Sequence, residues 1–372
     1  RSRCQEQRLK GRAMFSGRTL HLDGPLLIAL LFLSALGLVV IFSASDQDWD
    51  VMMRQAIRLG VSLVAMVVLA QVSPETLRRL SPHLFLIALV ALLGVLFVGV
   101  TVKGAQRWLD LGLVRFQPSE LMKLAVPMAV AWLLTRARLP PRFTMVLAAV
   151  MVTLVPAGLV VVQPDLGTAI MLIVSGMIVV FLSGIRWRYI MMLFAALAAL
   201  APFLWLRLDG YQQQRILTLF DPFADPLGSG YQIIQAQSAI GSAGLWGKGW
   251  LEGSQSHLEF IPERSTDFIF AVFAEEFGLI GVLMLVVLYL FIVGRCLVMA
   301  YYTRETYSRL LMGALALTFF FYLFVNLGMV SGILPIVGVP LPLVSYGGTS
   351  MLTLMAGFGM IMGMHARRRL MT

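Results

Sequence analysis

Charge is scarce in this chain. Only 13% of its 372 residues are Asp, Glu, Lys or Arg, against roughly 25% in a soluble globular domain, and a surface facing water is not built from so few. Cysteine is nearly absent, with Cys4 and Cys296 alone, which excludes a disulfide scaffold. The four histidines, His21, His83, His257 and His365, are scattered, with no HExxH pair and no Cys/His cluster. No dedicated zinc site is therefore expected. No internal repeat is visible either, which counts against a transporter built from two similar halves. Disorder and collagen-like repeats are excluded by the same composition.

What is abundant is hydrocarbon. The chain is 59% hydrophobic with a mean hydropathy of +0.85. Apolar stretches long enough to cross about 30 Å of hydrocarbon lie near 25–45, 52–72, 82–102, 118–135, 143–162, 166–184, 188–206, 267–299, 309–331 and 346–365. They predict an all-α polytopic membrane protein of ten transmembrane helices, a single membrane domain over 1–372. Pro118, Pro127, Pro156 and Pro164 interrupt or bound the fourth to sixth stretches. Such breaks survive in lipid only where the freed backbone groups face protein or a wet cavity.

The formal charge of +10 would point to nucleic acid in a soluble protein; here it reads as topology. Arg1, Arg3, Arg8, Lys10, Arg12, Arg18 and the alternate loops, from Arg78 and Arg79 through Arg136, Arg138, Arg142, Arg186, Arg188, Arg295, Arg304 and Arg309 to Arg367, Arg368 and Arg369, hold 19 of the 29 basic residues. The positive-inside rule makes that side, and both termini, cytoplasmic. The opposite side keeps ten cations beside 13 of the 19 carboxylates, and no nucleic-acid partner is expected. Both cysteines fall on the cytoplasmic side. The basic arm ahead of the first run behaves as a signal anchor; Ser43-Ala44-Ser45 resembles a cleavage site but follows too long a run to serve as one.

Residues 207–265, between the seventh and eighth spans, leave the hydrophobic pattern and form one large extracytoplasmic loop rich in Gly, Gln, Asp, Pro and Ser. A loop this long in a compact bundle is usually functional. A short amphipathic helix is expected over 230–240. Gly241, Gly244, Gly247 and Gly249 surround Lys248, but no Ser or Thr follows the Lys and no strand precedes it, so the nucleotide-loop pattern is not met. Two readings stay open: a backbone that receives an anionic headgroup through its N–H groups, and a flexible loop with an exposed Lys. Asp267 closes the loop at the outer edge of the eighth span. With Ser265 or Thr266 as cap, it either stabilises the helix dipole or acts as a general base whose pKa is set by desolvation against the dipole and Arg264.

Charges placed in spans are functional candidates. Glu120 and Lys123, three apart after Pro118, share a helix face and neutralise each other, as a structural pair or as part of a headgroup site. Asp165 follows Pro164, where capping of the sixth span outweighs a ligand role. Of Glu275 and Glu276, at least one is expected to face the bundle interior in a structural pairing. Residues 326–348, alternating Pro and Gly with little charge, suggest a re-entrant or interfacial last loop.

KGAQRWLDLG, FQPSE, QPDLGTA, DPLGSGYQIIQ, LEFIPERSTDFIFAVFAEEFG and GMVSGILPIVGVPLPLVSYGG closely resemble blocks of the SEDS family, and the likeness runs from Ser43 to the last span. The PERSTDF stretch favours its rod-elongation branch over its division branch. The resemblance implies peptidoglycan glycosyltransfer on lipid II, giving β-1,4 glycan and undecaprenyl diphosphate, at the outer face of the bacterial cytoplasmic membrane. It matches Asp267 to the family's essential aspartate, as general base on the acceptor 4-hydroxyl. Arg215, Glu259, Trp108, Glu120 and Lys123 fall at positions the family treats as functional. Arg215, Lys248, Arg264, Lys103, Arg107 and Lys123 are cations available to the departing diphosphate, alone or with a divalent cation such as Mg2+ or Mn2+. A class B penicillin-binding protein is the implied partner. The rivals are a lipid II flippase, since intramembrane charge and broken helices suit transport too, and a scaffold that only positions the partner.

Overall fold

In a computed structural model of the protein, the residues described are 21–102, 105–110, 115–137, 139–207, 210–221, 230–253 and 264–367. Among them are twelve helices: α1 (Gly24–Ala44), α2 (Trp49–Ala70), α3 (Pro74–Val98), α4 (Pro118–Leu134), α5 (Phe143–Val162), α6 (Leu166–Leu182), α7 (Trp187–Arg207), α8 (Gly210–Phe220), α9 (Tyr231–Ser242), α10 (Ile269–Tyr301), α11 (Thr306–Val330) and α12 (Thr349–Ala366). Six of these, α1, α2, α3, α5, α10 and α11, are long and apolar enough to cross a membrane. Their outward faces expose residues such as Ile28, Phe32, Val64, Phe97 and Met284, a surface suited to lipid. α8 and the expected α9 lie within 207–265.

Caps explain where the helices start. Asp23 Oδ1 accepts from Leu26 N at 3.1 Å, Asp48 Oδ1 from Asp50 N at 2.8 Å and Ser73 Oγ from Thr76 N at 3.2 Å, each satisfying an otherwise orphaned amide. Asp23 also takes two bonds from Arg295 of α10, at 3.1 and 2.7 Å, tying the entry of α1 to the far end of α10. α4, α11 and α12 are inner helices, each with most of its residues buried. Gly359 and Gly363 lack the Cβ atoms that would strike the Met66 and Ala70 carbonyls, so α12 lies directly against α2 in a small-xxx-small contact.

Several expectations need correction. The third helix is not 82–102: Ser73 and Pro74 start it eight residues earlier, Pro82 lies inside it, and 100–102 leave it as a strand. A purely apolar window misses that start because the first three turns carry Arg78, Arg79 and His83. The chain is not wholly α, since β1 (Val100–Val102), β2 (Ala105–Asp110) and β3 (Arg115–Phe116) form a small antiparallel sheet in the order β1-β2-β3. Pro127 and Pro156 do not interrupt α4 and α5; the helices continue through both, and both prolines are buried in protein, as the lipid rule demands. Asn326 belongs to α11 and not to the last loop.

Candidate active site

The site is assembled around the turn 264–268, which enters α10. Ser265 and Thr266 do not cap the helix: the N-cap is Phe268, with no side-chain capping bond, and Asp267 precedes the first helical turn. The turn is held from the other side. Tyr346 N donates to the Ser265 carbonyl at 2.8 Å, Ser345 Oγ to the Thr266 carbonyl at 2.5 Å, and Asn326 Nδ2 to the Asp267 carbonyl at 2.9 Å. Three consecutive carbonyls are thus paired with groups from the end of α11 and the last loop. Asn326, fully buried, also donates to the Val339 carbonyl at 2.8 Å and so locks loop and turn together. Ser345 Oγ in turn accepts from Leu341 N at 2.8 Å. The Asp267 carboxylate faces Gly338, where a Cβ would lie 3.4 Å from Oδ2.

The neighbouring charges are each engaged. Arg264 pairs with Asp46 of the α1–α2 connection. Arg107, on β2, donates through Nε to the Gln163 carbonyl at 3.2 Å and through Nη2 to the Pro164 carbonyl, with Nη1 3.6 Å from Asp165 Oδ2. It therefore staples the small sheet to the α5–α6 connection. Asp165 caps α6 through Thr168 N at 3.1 Å, as expected. Trp108, also on β2 and half-buried, sits opposite Val100.

Glu120 and Lys123 pair at 2.7 Å in the first two turns of α4. Lys123 Nζ lies 5.5 Å from the Tyr322 ring centroid, within cation–π range. Tyr322 and Asn326 are one turn apart on α11, and Tyr322 packs with Val339. One face of α11 thereby joins the Glu120–Lys123 pair to the seat of Asp267. Beneath the pair, an apolar groove of about 470 Å³ opens between α2, α3, α4 and α12, running from Phe116 and Thr349 down to Leu77 and Leu80.

Lys248 has a different setting. α10 breaks at Gly278, with φ 65° and ψ −168°, and the loop after α9 fills the break. Lys248 N and Gly249 N donate to the carbonyls of Glu275 and Glu276 at 2.9 and 3.1 Å, while Leu279 N and Ile280 N donate to those of Gly244 and Leu245 at 3.1 Å each. The loop's backbone is spent on splicing a helix and does not form an anion nest. Lys248 Nζ lies 2.6 Å from Glu275 Oε1, and Glu276 accepts from Ser43 Oγ. Both glutamates are buried, so the expected structural pairing holds for the two of them.

Glu259 lies outside the described residues, and the side chain of Arg215, on α8, is likewise not described. Asn326, Ser345, Tyr346 and Tyr322 were not singled out by sequence reasoning; a lone Asn and Tyr within an apolar span were the available signal.

The FtsW/RodA/SpoVE family model, described as cell cycle protein, matches residues 25–370. The chain belongs to this family, the SEDS proteins. It is 50% identical over 353 residues to the peptidoglycan glycosyltransferase MrdB of Escherichia coli K12, covering 95% of each chain. Among solved structures, it superposes with a TM-score of 0.83 and 35% identity on a chain from a study of the structural coordination of polymerization and crosslinking by a peptidoglycan synthase complex, covering 93% of this chain and 98% of that one. The rod shape determining protein RodA of Thermus thermophilus gives 0.72 and 32% identity, covering 95% and 99%. Apolar helices and this membership together make the chain a multi-pass membrane protein with a RodA-like fold.

Proposed function

We propose that this SEDS protein is a peptidoglycan glycosyltransferase that polymerises lipid II during cell elongation. It does so as a ten-span single domain of the bacterial inner membrane, with both termini cytoplasmic and the chemistry on the outer face. The seat of Asp267 carries the reading. A carboxylate at the end of a turn whose three consecutive carbonyls are held from another part of the chain is pre-positioned for one role, and fixed geometry is what a general base requires. Asp267 takes the proton from the acceptor sugar 4-hydroxyl as that oxygen attacks the anomeric carbon of the diphosphate-linked donor. The carbon–oxygen bond to the diphosphate breaks, undecaprenyl diphosphate leaves, and an α-linked donor becomes a β-1,4 product.

General-base help is worth about 10² to 10⁴ in rate, so the leaving diphosphate needs positive charge as well. Arg264, Arg107, Lys123, Lys248 and Arg215 are the candidates, and the family resemblance adds Trp108, Glu120 and Glu259 as substrate-binding residues. Lys123 is the best placed of those described, because its partner Glu120 lines the groove that suits polyprenyl tails. No three His, Cys, Asp or Glu side chains converge among the described residues. A Mg2+ or Mn2+ would be held by a carboxylate such as Asp267 and would supply charge neutralisation to the leaving group. A class B penicillin-binding protein docks on outer helix faces and cross-links the product.

The purified protein with that partner is expected to polymerise lipid II, and Asp267→Asn to abolish polymerisation while leaving folding and complex formation intact. Full glycan synthesis by a well-folded Asp267→Asn variant sinks the catalytic assignment. The depth of the groove also suits passage of a lipid. Transbilayer movement of lipid II in vesicles, without polymerisation, is the outcome that favours the flippase reading.

A further inference from the structure

A second apolar groove, of about 660 Å³, lies between α5, α6 and α7. That is within the roughly 300–1,000 Å³ of ordinary ligand sites. It exists because α7 touches the rest of the bundle only sparsely; the contact that closes its mouth is the ring pair Phe143–Tyr189, 5.4 Å between centroids. Its walls are Leu147, Val150, Val180 and Phe181, and its mouth is formed by Phe143, Ile185 and Trp187.

Three arginines are interleaved with those mouth residues: Arg142 before Phe143, Arg186 between Ile185 and Trp187, and Arg188 after Trp187. All three are exposed, and none has a carboxylate partner among the described residues. From Leu124 to Leu208 the chain holds one carboxylate, Asp165, and it caps the far end of α6. The Arg188 guanidinium carbon lies 5.2 Å from the Tyr189 ring centroid, which keeps that cation at the mouth. The Glu305 carboxylate of the adjoining α11 entry is occupied by Ser308 Oγ at 2.6 Å.

We propose that this groove is a binding site for an anionic glycerophospholipid of the cytoplasmic leaflet, its acyl chains between α5, α6 and α7 and its phosphate among Arg142, Arg186 and Arg188. A hydrocarbon slot alone takes any lipid. A slot whose mouth residues are interleaved with three arginines, none with a carboxylate partner among the described residues, selects for net negative charge. The proposal rests on the membrane topology given above, not on the glycosyltransfer chemistry, and its test reads lipid binding alone.

Native mass spectrometry of the full chain, titrated with phosphatidylglycerol and with phosphatidylethanolamine, distinguishes the outcomes. Retention of phosphatidylglycerol over phosphatidylethanolamine is expected. At about a factor of five per arginine, an Arg142→Gln/Arg186→Gln/Arg188→Gln variant should bind phosphatidylglycerol on the order of a hundredfold more weakly. An Arg78→Gln/Arg79→Gln/Arg309→Gln variant, with the same charge removed elsewhere on that side, should bind as the parent does. Leu147→Trp, which fills the slot and keeps every charge, should displace the lipid too and covers the case of a triple variant that does not fold. Equal retention of the two lipids, equal loss in both triple variants, or undiminished binding by Leu147→Trp each overturns the proposal.

Discussion

The splice in α10 makes a sharp prediction at Gly247. Its φ is +81°, and a Cβ there would collide with the Glu276 carbonyl. Alanine costs about 1–2 kcal/mol for the left-handed backbone alone. Relieving the collision means moving the loop off the break, which gives up between two and four of the backbone bonds that join 244–249 to 275–280. At about 1 kcal/mol net each, the total is roughly 3–6 kcal/mol, a large share of the about 5–15 kcal/mol that holds a domain folded. Gly241→Ala is the matched control. Gly241 sits in α9 with ordinary φ and nothing within 4 Å of an added Cβ, so alanine there should be neutral or stabilising by up to about 1 kcal/mol. Thermal unfolding of the detergent-purified variants measures the difference. A Gly247→Ala melting temperature equal to that of Gly241→Ala would refute the splice as a stabilising element.

Asn326→Leu should leave the Asp267 and Val339 carbonyls without their donor; at about 1–3 kcal/mol of lost positioning, kcat for polymerisation should drop about tenfold to a hundredfold, with lipid II binding retained. A fall in binding with kcat unchanged would instead give Asn326 a role in substrate uptake. The Asp23–Arg295 tie should set an acid limit to stability. Burial works against the Asp23 carboxylate, but the bonds from Arg295 and Leu26 outweigh it and hold its pKa below the usual carboxylate value. The sign follows: the stabilisation is complete above about pH 4 and is lost as pH falls through the lower folded value. Asp23→Asn should flatten that acid limb in pH-dependent melts, and an unchanged slope would show that other groups carry it.

Much of the fold was legible because lipid imposes one rule on every span: about 20 apolar residues with satisfied backbone. That rule placed the long helices, and the i, i+3 spacing placed Glu120 beside Lys123. It failed where the determinant was not hydropathy. α3 begins at a capped, basic turn, and the β1–β3 strands are too short to show a period. The Gly247–Gly278 contact joins two segments whose only local sign is glycine, so the loop read either as a place for a headgroup or as a flexible loop when its amides were already committed to α10. Asp267 stood out through resemblance, while its seat did not. Asn326, Ser345 and Tyr346 look like ordinary residues of a span and a loop until the fold sets them against three carbonyls.

The seat of Asp267 also has a meaning in time. Asn326 lies 59 residues after the carbonyl it holds, and Ser345 lies 79 after its own. At about 5–20 residues per second, a ribosome that has just added Asp267 needs roughly 4–16 s more before the last of these donors exists. A nascent chain therefore carries its carboxylate into the membrane well before it can aim it, and a protein whose last helix has not yet arrived has the reactive group without the geometry.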